Sequence, residues 1–279
     1  MRGRWRRQYK KYVLCAAGLL LVAVFLFPIY WMIVSSLKGS GEIFSASPSL
    51  IPRSLYLDNY RALFQNADFF MYLKNSAVIS ILSMIGAILL SAPLSYALAR
   101  KSMKGFGAIL FILIIIQMVP GNSMALPLYA MFSRWGITNS YLGVVLANIT
   151  SSLPFVALVL RTSFLGIPRV LEDAARIDGC SAWGTFLRII LPLTRPALVT
   201  CAAFGFIFAW GEFIFALVLL PDKAYWPITM GMRTFIGQHG TDWGGLMATA
   251  TLSSLPVILI FMLTQKHIVG GITAGSVKG

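Results

Sequence analysis

Six apolar segments alternate with polar stretches along the chain, at approximately Tyr12–Leu37, Asn75–Ala99, Phe106–Phe132, Tyr141–Leu160, Ala197–Leu220 and Leu246–Gln265. Each reaches the roughly 20 residues a helix needs to cross a bilayer core. The pattern predicts an all-α integral membrane protein with six transmembrane helices. Pro120, Pro127 and Pro154 interrupt the third and fourth segments, and proline is tolerated in a span where neighbouring helices or a wet cavity satisfy the freed carbonyls. The organisation that follows is a basic N-terminus over 1–11, a first helix over 12–37, an outer loop over 38–74, a core of five helices over 75–265, and a tail over 266–279.

Two polar loops carry patterns of their own. In 38–74, the run Leu57–Phe64 repeats apolar residues at helical spacing, which predicts a short amphipathic helix at the outer surface. Such a helix serves either as a connector resting on the bilayer or as a contact for an extracytoplasmic partner. In 161–196 two short helices are predicted. Pro168 suits a first helical turn, and Glu172 and Asp173 suit the positive end of the helix dipole. Gly179 stops that helix, and Ser181 caps a second one, Ala182–Ile190, which ends ahead of Pro192. Ala174 and Ala175 leave one side of the first helix nearly flat, a surface able to lie deep in a partner's cleft. A loop helix packed on its own protein would show the same capping signals.

Composition agrees with the segment pattern: 58% of residues are hydrophobic, 11% are charged and the mean hydropathy is +0.79. The net charge of +14 would suit nucleic acid, but its distribution does not. Sixteen of the 23 Lys and Arg fall in 1–11, 100–105, 161–196 and 266–279. An excess of basic residues marks cytoplasmic loops, so both termini are expected inside the cytoplasmic membrane of a prokaryote. The first apolar run is long for a cleaved signal and lacks a small-x-small site, so a retained helix is expected, with Tyr30 and Trp31 as interfacial anchors.

Chemistry-bearing residues are sparse. Cys15, Cys180 and Cys201 have no metal-site spacing and form no even disulfide set, and His239 and His267 lie far apart. No G-x-x-x-x-G-K-[ST] phosphate loop occurs, and Gly275-Ser276-Val277-Lys278-Gly279 has the wrong spacing for one. No catalytic residues and no bound cofactor are expected, so the chain reads as a transport subunit rather than an enzyme. Glu212 is the one acid well inside a predicted span, where an ionisable group is costly and usually functional. It either bonds a polar neighbour in the bundle or meets the solute. Candidates to line a path are Gln117, Asn122, Asn148, Thr150, Ser151, Ser152, Thr249 and Ser253, with Trp210 as an aromatic face for a sugar. Asn148, Ser151 and Ser152 share one helix face. Small polar side chains also join helices in membranes, which is the alternative for each.

The loop 161–196 also carries a resemblance. Asp173-Ala174-Ala175-x-x-x-Gly179, nine residues, then Ile189-x-Leu191-Pro192 resembles the EAA loop of ABC-importer permeases, with Asp173 where that family usually has Glu. Arg176-Ile177-Asp178-Gly179, Leu191-Pro192-Leu193, Trp210-Gly211-Glu212-Phe213, Val119-Pro120-Gly121, Leu126-Pro127-Leu128 and the tail Gly271–Gly279 are similar to the sugar-importer branch. Together they resemble the smaller, six-helix permease of a maltose-type carbohydrate importer, with a type I permease fold. The resemblance implies partners: a second homologous permease, a dimer of ATPase subunits using ATP and magnesium, and an extracytoplasmic solute-binding protein. It implies that Glu172, Asp173, Ala174, Ala175, Asp178 and Gly179 contact the ATPase, and that Val277, Lys278 and Gly279 reach between its subunits. The implied solute is a di- or oligosaccharide, with a polyol or glycerol phosphate as the alternative. An ion-coupled carrier and a membrane enzyme acting on lipid-linked sugars are rival readings. The first would need coupling groups of its own, and the second acidic or histidine clusters at a membrane surface.

Overall fold

The computed structural model describes residues 2–100, 104–238 and 240–274, with side chains over 11–100, 104–238 and 240–266. Val277, Lys278, Gly279 and His239 lie outside the described residues, as does the side chain of His267. Two units are distinguished, residues up to 67 with 232–254, and 68–231 with 255 onward.

The first unit opens with α1, Arg2–Ser36, followed by the short α2, Ser40–Ile43, and by α3, Asp58–Gln65. It closes with a two-residue antiparallel hairpin, β1 Ile236–Gly237 and β2 Gly240–Thr241, which precedes the last helix. Residues 11–30 of α1 are exposed throughout, an apolar surface suited to lipid or to another subunit. Among its described side chains, the buried ones are at its C-terminal end, at Val34, Ser35 and Ser36. The expected outer helix forms as α3, and its grip is polar as well as apolar. Leu63 is buried, Asn59 donates to the carbonyls of Ser36 (2.9 Å) and Lys38 (3.0 Å), and the Tyr60 and Ser36 hydroxyls meet at 2.6 Å. Gly244 makes room for this, since a Cβ there would lie 2.6 Å from Asn59 Oδ1. α3 is therefore fastened to the end of its own first helix.

The second unit holds most of the bundle: α4 (Ala67–Arg100), α5 (Phe106–Met118), α6 (Gly121–Arg134) and α7 (Tyr141–Leu165). A helical hairpin, α8 to α10, follows, then α11 (Arg195–Gly211), α12 (Ile214–Leu219), α13 (Ile228–Gly231) and the inner part of α14 (Trp243–Ala274). α4 and α7 run in parallel, since Ser91 donates to Leu153 O (3.3 Å) and Ser95 to Ala157 O (2.8 Å) at the same offset. The buried face of α4 is a stripe of small residues, Ser76, Ser80, Ser83, Ala87, Ser91 and Ser95, spaced three or four apart. Lipid is as apolar as leucine, so close packing and buried hydrogen bonds hold such an interface, and small residues permit the close approach. α11 lies against α7 through the Phe155 and Phe204 rings, 3.9 Å between centroids. α12 closes one end of this unit, where Phe215 and Leu219 pack with Leu128, Phe132 and Val144.

Among the described residues, four helices are long and apolar enough to cross a membrane, and the number is six where each of two bent pairs counts as one span. The third span differs from the expected single helix. α5 and α6 meet at 104° around Val119 and Pro120. Val119 is extended (φ −76°, ψ 122°), as a residue before proline prefers, and Val119 N–H closes the α5 end on Ile116 O. Pro127 and Pro154, by contrast, sit inside unbroken α6 and α7. The fifth span ends early at Gly211, and α4 begins at Ala67, well before Asn75, taking in residues expected in the outer loop.

Candidate functional site

The hairpin is built from local signals. α8, Val170–Ile177, starts with Leu171 N–H on Pro168 O and Glu172 N–H on Arg169 O. Its end is a Schellman turn: Cys180 N–H reaches Ala175 O (2.9 Å), Gly179 N–H reaches Arg176 O (3.1 Å), and Gly179 sits at φ +83°. The expected stop at Gly179 thus has a backbone reason. Ser181 caps α9, Ala182–Thr185, by accepting Gly184 N–H at 3.1 Å. Pro192 does not end the second helix as expected. A π turn over Phe186–Ile190, with Leu191 N–H on Phe186 O, widens the coil ahead of the proline, and α10, Leu191–Leu193, carries it on. The break comes at Thr194, whose hydroxyl donates to Leu191 O (2.8 Å), and α11 leaves at 78°.

The hairpin divides its residues between two faces. Thr185, Phe186 and Ile190 turn inward, and the Tyr96 ring of α4 lies 4.8 Å from Phe186 and 5.7 Å from Phe164. Glu172 also turns inward. Its carboxylate accepts from the Arg100 guanidinium and from the Tyr96 hydroxyl (2.9 Å), and the Arg100 and Glu172 side chains are 9% and 5% exposed. Glu172 and Ala175, expected on the partner-facing side, are therefore buried against the chain's own core. Asp173, Ala174, Asp178 and Gly179 remain outward. Sequence reasoning missed three apolar residues beside them: Val170 (73% exposed), Leu171 and Ile177 (86% exposed). Their helical spacing with Ala174 was the available signal, and together they make an exposed apolar stripe on a polar loop. Asp173 and Arg176 pair on this surface at 3.3 Å, both more than half exposed, so the pair is worth about 0–1 kcal/mol.

The path candidates separate into four places. Gln117 and Asn122 are exposed on either side of the α5–α6 bend. Asn148, Ser151 and Ser152 share the inner face of α7. There Ser152 is satisfied by Asn148 O (2.8 Å), whereas both amide atoms of Asn148 and the Ser151 hydroxyl are buried without a hydrogen-bond partner. Thr150 is exposed and bonds its own helix at Leu146 O. Trp210 is buried beside Phe206, with centroids 5.4 Å apart, so it presents no open face for a sugar. Glu212 sits at the α11–α12 break, where its carboxylate accepts Phe215 N–H (2.7 Å) and Ala216 N–H (3.2 Å). The polar neighbour expected for this acid is thus the start of α12, where backbone N–H groups lack helical partners. Thr249 and Ser253 belong to the first unit, and each bonds a carbonyl of its own helix.

At the other end of the second unit, Asn75 holds the loop after α12. It donates to Ala224 O (2.9 Å) and Trp226 O (3.0 Å) and accepts the Tyr141 hydroxyl (2.6 Å). Lys223 donates to Asp68, and that hydrogen bond raises the lysine pKa above its ordinary value.

Helices long and apolar enough to cross a membrane, with a helical hairpin packed against them, are the architecture of an integral membrane protein. The chain belongs to the family of binding-protein-dependent transport system inner membrane components, whose family model matches residues 87–273. Its relatives include the trehalose/maltose transport system permease protein MalG of Thermococcus litoralis, 34% identical over 98% of this chain and 99% of that protein. The diacetylchitobiose uptake system permease protein DasC of Streptomyces coelicolor is 31% identical over 91% of this chain and 92% of its own length. A bacterial ABC transporter that imports the acidic polysaccharide alginate has a chain of the same fold, with TM-score 0.80 and 20% identity over 93% of this chain and 97% of that one.

Proposed function

We propose that this chain is a permease subunit of an ATP-driven importer that moves a di- or oligosaccharide across the cytoplasmic membrane by alternating access. The similarity to oligosaccharide permeases along nearly the whole chain carries this reading. Both termini are cytoplasmic, which puts the hairpin on the same side as the basic segments. Asp173, Ala174, Asp178 and Gly179, with Val170 and Ile177, dock into a cleft of an ATPase dimer. ATP and magnesium are held there, and this chain contributes no ATPase site. Val277, Lys278 and Gly279 reach towards the same subunits. A second, homologous permease completes the membrane part, and a solute-binding protein delivers the sugar from outside. Nucleotide closure and binding-protein docking favour the same outward-open state, so two ligands bias one equilibrium. Gln117, Asn122, Asn148 and Ser151 are the polar groups proposed to face the path, with Ser152, Trp210 and Glu212 shaping its walls.

The test is uptake into liposomes holding the full complex, with labelled di- and oligosaccharides offered through the binding protein. ATP-dependent accumulation of a sugar is expected. Accumulation driven by an ion gradient without the ATPase, or of a polyol or glycerol phosphate in preference to any sugar, refutes the corresponding part.

A further inference from the structure

The hairpin is joined to its neighbours in sequence at two breaks in the helices. Four non-helical residues, 166–169, link α7 to α8, and the chain turns by 78° at Thr194 before α11. It is also held by a helix distant in sequence, α4. The last turn of α4 places Tyr96 and Arg100 on one face, four residues apart. Tyr96 touches Phe164 of α7 and Phe186 of the hairpin, and donates to Glu172 of the hairpin. Arg100 uses its planar fork twice, on the Glu172 carboxylate and on Ile167 O (2.9 Å) in the linker. One guanidinium therefore holds both the first turn of α8 and the joint that precedes it. A buried ion pair resists opening, because either partner left alone would be an uncompensated charge.

We propose that Arg100 is a positioning residue that makes the hairpin and the inner end of α4 one moving body, so that force applied to α8 enters the bundle through α4. This rests on the docking role proposed for α8. It assigns the route inward, which docking by itself leaves unspecified. The fork is essential to it: a lysine at position 100 keeps the charge but is a single point donor, unable to serve Glu172 and Ile167 O with the same fixed geometry.

The experiment uses the complete transporter in liposomes. Spin labels are placed at Ala97→Cys on α4 and at the exposed Leu187→Cys in the hairpin, with Cys15, Cys180 and Cys201 replaced by alanine. In the otherwise unaltered chain the inter-label distance is expected to stay the same with and without ATP. In Arg100→Met/Glu172→Met, which removes both charges at similar volume, the distance distribution is expected to broaden and sugar imported per ATP to fall at least tenfold. ATPase turnover and crosslinking of Asp173→Cys to the ATPase are retained. Arg100→Lys, which keeps the charge balance, reads the same quantities if the methionine pair does not assemble, and a several-fold loss of uptake per ATP is expected. Unaltered uptake per ATP in either variant, with the crosslink intact, overturns the inference and leaves the docking reading standing. Loss of the position-173 crosslink in the active, unaltered transporter overturns both.

Discussion

Replacing Gly179 tests whether the hairpin must keep its shape to transmit work. At φ +83° an L-residue with a Cβ pays about 1–2 kcal/mol. No atom lies within 4 Å of the position a Cβ would take, so the cost is conformational and not a clash. If the Schellman turn opens instead, its two hydrogen bonds, at 2.9 and 3.1 Å, are lost at about 1 kcal/mol each. Either way the ordered hairpin is disfavoured by about 2 kcal/mol, roughly a thirtyfold shift in its population. An eight-residue helix has little stability of its own to absorb this, while a whole protein with about 5–15 kcal/mol does. Gly179→Val is therefore expected to assemble with its partners yet import at least tenfold less sugar per ATP. Gly179→Asn, which tolerates the left-handed conformation, is expected to retain most coupling. The assay is paired measurement of ATP hydrolysis and labelled sugar uptake in proteoliposomes. Coupling by Gly179→Val within twofold of the unaltered chain would refute the argument. Equal damage from Asn and Val would show that side-chain size at the docking surface matters, and not backbone conformation.

Three further outcomes are expected. Gly143→Ala places a Cβ 2.5 Å from the Ile137 carbonyl oxygen, a backbone atom that cannot move aside alone, so the melting temperature should drop by several degrees in a thermal-shift measurement. Asn148→Leu removes two unpaired buried polar atoms, which cost about 1–3 kcal/mol when unsatisfied, so thermal stability should hold or rise. If Asn148 faces the path, uptake should still fall at least tenfold, and normal uptake would make it a packing residue. The Lys223–Asp68 pair is 49% and 40% exposed, so Lys223→Met should change stability by less than about 1 kcal/mol, and less again in high salt. Because the lysine pKa is raised in the folded chain, its contribution is complete below the ordinary lysine value and fades as pH climbs through the raised one. A stability profile showing the pair's contribution lost on acidifying from neutral to about pH 6, well above the ordinary carboxylate range, would contradict that sign.

How much of this was legible beforehand depends on the range of the interaction. Apolar length announced the spans, and Ser181 and Gly179 announced the hairpin, because caps and turns are decided by residues within five positions. Proline by itself was ambiguous. Pro120 breaks a span and Pro154 does not, and the Gly121 that follows Pro120 is the turn signal that Pro154, between Leu153 and Phe155, lacks. Pro192 is carried through by a π turn that its flanking residues do not advertise. The inward face of α8 was misread because Glu172 finds its partner 72 positions earlier, on α4. The resemblance counted Glu172 among the partner contacts, and Arg100 claims it instead. Asn75 was missed on the same ground, since its partners lie in a loop some 150 residues on.

The serine stripe on α4 has a mechanical consequence. Where two helices interlock through large side chains, one can shift against the other only by lifting knobs out of holes. Here α4 supplies the holes and α7 a knob: the Ile149 side chain fills the space over Gly86, where any Cβ would collide with it, while Ser91 and Ser95 tie carbonyls one turn apart on the same helix. The small residues therefore fix the register of the two helices as well as their separation. The seam behaves as a zip, resisting slippage along its length.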